Sequence, residues 1–248
     1  MNRSSVTSAQ SEGSPSERKA AVGRRTFLKS AGITSAAAVG LFAAACTDHN
    51  GEPPAGVFDL GQGDLGALNY AYALEQLEAA FYTKIVASPA VMSRFSSQEQ
   101  MVFNDLKLHE VAHRDFFKAA ITAAVKGDMS KVLPTLEVNL PDDLFSTSAK
   151  VLTLAKTFED LGVAAYNGAG KYIENVDYLL LAGKIVSVEA RHAAIISNMI
   201  APKTAAFASD MEVDPATGLD KALLPSQVLK IVTDGGFIKT AFTAKYLP

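Results

Sequence analysis

Leu106-Lys107-Leu108-His109-Glu110-Val111-Ala112-His113-Arg114-Asp115-Phe116-Phe117 is the stretch on which the fold turns. Phe103, Leu106, Glu110, His113, Phe117 and Ala120 recur at steps of three and four, which places them on one face of a helix. That face is apolar except in its middle, where a glutamate and a histidine stand three residues apart. A second stretch does the same: Tyr178, Ala182, Ile185, Glu189, His192, Ile196 and Met199 form an apolar seam with Glu-x-x-His at its centre. Two further seams carry one acid each. Leu65, Leu68, Tyr72, Glu75, Ala79 and Tyr82 make the first, and Leu152, Ala155, Glu159, Gly162 and Tyr166 make the other.

The signals around these seams predict four long helices, at 64–87, 97–126, 147–168 and 176–200. Asp64 and Asn175 are candidate N-caps, Ser96-Ser97-Gln98-Glu99 reads as a capping box, and Gly127 as a stop. The first and third connections are short, which makes antiparallel neighbours. The second, 127–146, is long and contains Pro134 and Pro141, so two hairpins are expected to be joined by one crossover. A shorter helix is expected between 223 and 238. Each seam carboxylate lies near the middle of its helix, so the four can meet at one level. The halves echo each other: Glu75 precedes Tyr82 by seven residues, Glu159 precedes Tyr166 by seven, and each half then ends in Glu-x-x-His.

Four buried carboxylates in one place are unfavourable unless something cancels their charge. The seams hold no arginine, and Arg114 and Arg191 lie off them. Two divalent cations supply the balance, with two imidazoles completing the ligand sets. Oxygen and imidazole donors without thiolate point to iron or manganese before zinc or copper. His109, about 100° around the helix from Glu110, is expected to face solvent, as is Asp160. Glu78 lies on a second apolar strip of its helix with Leu74, Phe81 and Ile85, and reads either as an extra ligand or as an acid beside the ligands.

Glu75, Glu110-x-x-His113, Glu159 and Glu189-x-x-His192 resemble the ligand pattern of the ferritin-like di-iron carboxylate proteins. The string Leu74-Glu75-Gln76-Leu77-Glu78-Ala79-Ala80-Phe81-Tyr82 is similar to the exported bacterial ferritin-like domain family that includes desiccation-related proteins. The resemblance covers about residues 57–201 and implies an all-α, ferritin-like four-helix bundle with one long crossover, plus a short C-terminal helical extension. It also implies roles. Glu110 and Glu189 would bridge two iron or manganese ions, Glu75 and His113 would complete one, and Glu159 and His192 the other. Tyr82 and Tyr166 would orient carboxylates across the site. The expected chemistry is of the ferroxidase or peroxide type, with oxygen or peroxide as the other partner, in stress protection. A non-catalytic metal-binding or interaction module of the same fold is the alternative.

The N-terminal residues read differently. Of the 248 residues, 48% are hydrophobic, enough for a core and against disorder. Residues 1–46 hold six Lys and Arg against Glu12 and Glu17, a charge of +4 that leaves −7 on the rest of a chain whose net charge is −3. An acidic folded domain is a poor partner for nucleic acid. Arg24-Arg25-Thr26-Phe27-Leu28-Lys29, followed by an Ala- and Gly-rich apolar run to Ala45, closely resembles a twin-arginine export signal. Cys46, the single cysteine, follows Ala43-Ala44-Ala45 and looks like a lipoprotein acylation site; cleavage after the Ala-x-Ala triplet is the rival. The expected layout is a leader at 1–46, a tether at 47–60 that includes His49, the bundle at 61–201 and an extension at 202–248. The product would be periplasmic or in the cell envelope, touching membrane only through a lipid anchor. A homodimer stays open.

Overall fold

The computed structural model describes residues 56–248, so the leader, Cys46 and most of the tether lie outside the described residues. Six α-helices account for most of what is described: α1 (Gly63–Ala87), α2 (Pro89–Met92), α3 (Ser97–Ala124), α4 (Ser148–Ala169), α5 (Val176–Ile200) and α6 (Pro225–Asp234). The fold is an all-α bundle of two helical hairpins joined by one long crossover. α1 packs along α3 and α4 along α5, while the contacts between these two hairpins are sparser. None of the described helices is long and apolar enough to cross a membrane.

Local chemistry sets the helix ends. Ser96 caps α3 through a full capping box with Glu99, an arrangement that contributes about 1 kcal/mol. After α3 the chain turns through Gly127 at φ +83, a conformation glycine adopts without strain. Thr147 caps α4 and Asn175 caps α5. Asp64 departs from its expected role. The N-cap of α1 is Gln62, and the Asp64 carboxylate instead accepts hydrogen bonds from the backbone of Glu174 and Asn175, closing the start of α5.

α1 is buried almost all round between Gly66 and Ala79, so it is the central rod. Two of its buried polar residues serve the crossover. Asn69 donates to the carbonyls of Leu60 and Lys131 and accepts from the amide of Leu133, and Gln76 accepts from the amide of Leu136. A segment without regular structure can be laid over a helix in this way because its backbone groups find partners.

The ends of the chain are part of the same body. Phe58–Asp59 pairs in parallel with Phe242–Thr243, and Leu60 is fully buried, so the packed chain starts before residue 61. Segments of two residues carry no alternation to read, so this pair is not legible from periodicity. The expected fifth helix is α6, whose Val228 and Val232 are buried. Ahead of it the amide of Leu223 donates to the carbonyl of Ala164 on α4, 2.9 Å away. That approach is open only because residue 168 is glycine: a Cβ there would fall on the Leu223 carbonyl.

Gly168→Ala is therefore expected to destabilise the protein by about 1–3 kcal/mol, the usual range for overpacking. Gly183→Ala, where a Cβ meets nothing within 4 Å, should stabilise α5 by up to about 1 kcal/mol. Thermal melts of the two variants should shift in opposite directions.

Candidate metal centre

Each of the four long helices brings its mid-seam acid to the centre of the bundle. Glu75, Glu110, Glu159 and Glu189 are all fully buried, and His192 is nearly so. Two groups of donor atoms result, each with all its atoms within 4.8 Å of one another: Glu75, Glu110, His113 and Glu189, and then Glu110, Glu159, Glu189 and His192. Glu110 and Glu189 belong to both. The structure thus brings together all six residues expected from the sequence and divides them as two sets sharing two carboxylates.

The imidazoles face inward through Nδ1. That atom of His113 lies 2.8 Å from Glu189, 3.5 Å from Glu75 and 3.7 Å from Glu110. In His192 it lies 2.8 Å from Glu110, 3.4 Å from Glu189 and 3.5 Å from Glu159. Despite these approaches, both Nδ1 atoms, both oxygens of Glu110 and Glu189, and one oxygen each of Glu75 and Glu159 are buried with no hydrogen-bond partner. Donor atoms that crowd together without aligning on one another are arranged around shared points, as ligands are around cations. The residues present therefore fit a pair of divalent ions.

The remaining oxygens of Glu75 and Glu159 are held by phenols, in a crossed pattern. Tyr82 on α1 donates to Glu159 on α4, and Tyr166 on α4 donates to Glu75 on α1. Burial, then the charge of the bonded carboxylate, pushes both phenols well above their usual pKa, so they remain donors. Such bonds orient ligating carboxylates.

Glu78 belongs to neither donor set. Its side chain is buried, one oxygen has no partner, and the other lies 2.9 Å from where a Cβ of residue 162 would be. Gly162 makes room for it. Burial, and then the charges of Glu110, Glu189, Glu75 and Glu159, hold its pKa well above the carboxylate range. Of the two readings of Glu78, the structure favours a neutral acid beside the donor sets.

One expectation fails and another is incomplete. His109 is exposed as expected, and in addition its Nδ1 lies 3.0 Å from Nε2 of His192, with the two rings parallel. A position turned away from the inner seam of α3 points towards α5, which helical periodicity alone does not reveal. The signal available was a histidine immediately before Glu-x-x-His. Asp160 is half-buried rather than solvated, 2.7 Å from Lys156, which also pairs with Glu212 at 2.6 Å.

A bundle of two helical hairpins whose core holds two overlapping carboxylate–histidine sets is the architecture of dinuclear-metal four-helix proteins. The profile of the ferritin-like domain matches residues 63–202, and the chain belongs to that family. A comparison with curated proteins gave no match.

Without metal, the site's charge state follows from its crowding. Burial alone would lower the histidine pKa values, but Glu110 and Glu189 beside His113, and Glu110 and Glu159 beside His192, push both up to about 12. Burial raises Glu159 to about 8, while the two imidazoles overcome burial at Glu110 and bring it down to about 2. Glu159 and both histidines thus bind protons more tightly in the folded metal-free chain than in the unfolded one. Stability from them is fully present below the unfolded values and is lost as pH rises through the folded ones. Metal-free protein should melt at progressively lower temperature as pH rises from about 4.5 to 8. Because cations displace these protons, apparent metal affinity should rise over the same interval. Calorimetric melts with and without Mn2+ check both signs.

Proposed function

We propose that the protein is a dinuclear iron or manganese oxidoreductase, exported by the twin-arginine route, that reacts with oxygen or peroxide in stress protection of the desiccation-related kind. The observation that carries the metal reading is the sharing of Glu110 and Glu189 by two otherwise separate donor sets. Glu75 and His113 would hold one ion, Glu159 and His192 the other. Two such ions supply a pair of one-electron donors at one place, which is what two-electron reduction of an O–O bond requires.

The chain's own residues define the rest. Tyr82 and Tyr166 fix the carboxylates that would hold one ion each, and Glu78 offers a protonated carboxyl within the same water-poor interior. The histidine side is the route nearest solvent, since His113 is partly exposed and His109 lies on the surface. Export and envelope location rest on Arg24-Arg25-Thr26-Phe27-Leu28-Lys29, and a lipid anchor on Cys46 after its alanines. The desiccation link rests on the resemblance of the Leu74–Tyr82 string. A non-catalytic metal-binding module is the second reading, favoured by how completely the donor sets are enclosed.

Elemental analysis should find two ions per chain. Glu110→Ala or Glu189→Ala should cost both ions, whereas His113→Ala should cost one. Glu78→Gln, outside the donor sets, should retain two. Two ions in the Glu110→Ala chain would refute the assignment of shared ligands. Ferrous protein exposed to air should consume oxygen, or manganese protein should remove peroxide. A fully loaded protein that does neither is the non-catalytic module.

A further inference from the structure

The two donor sets differ on their outer side. In each, Nδ1 of the imidazole faces the carboxylates, so a ligating histidine carries its proton on Nε2. For His192 that Nε2 lies 3.0 Å from Nδ1 of His109, and the rings are parallel to within 4°. In the ligating tautomer His192 therefore donates from Nε2 and His109 accepts at Nδ1. The related position in the other half, immediately before Glu189, is Val188, which has no acceptor to offer His113. The exposure of the two imidazoles differs in the same sense, 5% for the side chain of His192 against 13% for His113.

We infer that His109 is a positioning residue that makes the two metal positions unequal: the ion held by Glu159 and His192 binds tightly and first, and the ion held by Glu75 and His113 binds more weakly and exchanges. The inference rests on the dinuclear reading above. Physically, a hydrogen bond from the outer nitrogen fixes both the tautomer and the ring orientation of a ligating histidine and makes its inner nitrogen a better donor. Among the described residues one set has that support and the other does not. Greater enclosure of His192 acts in the same direction, because water competes less for the ion. His109 touches neither ion, so its whole effect passes through His192.

The test is titration of metal-free protein with Mn2+, counting free ion by its electron paramagnetic resonance signal. The unaltered chain should fill in two steps, one ion each. His109→Ala should weaken the tight step by about 10- to 100-fold, the usual effect of losing such a partner, and leave the weaker step in place. Because His109 is exposed, the helix content of the variant should be unchanged. His109→Asn, which restores an acceptor oxygen, should recover part of the loss. An H109A isotherm that superimposes on the native one, a parallel loss in both steps, or an H109N chain as weak as H109A each overturns the role given to His109. Failure of the native chain to bind two ions is a different result and would remove the dinuclear reading itself.

Discussion

Five carboxyl groups share the interior of this bundle, those of Glu75, Glu78, Glu110, Glu159 and Glu189, and no lysine or arginine pairs with any of them among the described residues. Their basic neighbours are two imidazoles. In a low-dielectric interior such a cluster must either take up protons or bind cations, and the protein does the first whenever the second is unavailable. The high pKa values of both histidines and of Glu159 are the metal-free state's answer to the same constraint. The interior is thus kept charge-poor by protons, and any cation bound there would draw on the same groups as folding.

That constraint explains why so much chain is spent on enclosing α1. A rod carrying two buried acids must be covered on every side to keep water out, and four helices leave part of it bare. The crossover covers that face, held by Asn69 and Gln76, whose side chains bind backbone groups lacking helical or strand partners. The C-terminal segment then packs on the crossover through the amide of Asn139, which donates to the carbonyl of Phe237, and returns to pair with the residues just before α1. What the sequence presents as an extension after a complete bundle is a layer of the same body.

Helix type, seams and the six converging side chains were legible because each depends on spacing within one helix, and periodicity reports that directly. Asn175 and the Ser96–Glu99 box were readable for the same reason, as interactions spanning a few residues. Interactions between distant segments were not. Asp64 looks like the cap of its own helix and in fact serves α5, because a carboxylate near one helix start can reach another brought beside it. The exposure of His109 was legible and its contact with His192 was not, because periodicity gives a direction, roughly a quarter turn from Glu110, and is silent about which helix stands there.

The repeated pattern of the two halves makes their differences informative. Tyr82 and Tyr166 obey the pseudo-twofold relation fully, each reaching across to the carboxylate of the other hairpin and so tying the hairpins at the level of the site. Two positions break it. Three residues after Glu75 stands Glu78, and three after Glu159 stands Gly162; the carboxyl of the one occupies the space left by the missing side chain of the other. One before Glu110 stands His109, and one before Glu189 stands Val188. Both departures put the polar group in the first half. A core that needed only charge balance would gain nothing from either, since burial holds Glu78 neutral and His109 belongs to neither donor set. Each departure makes the surroundings of the two donor sets chemically unequal, with a buried acid set against Gly162 and an imidazole set beside His192.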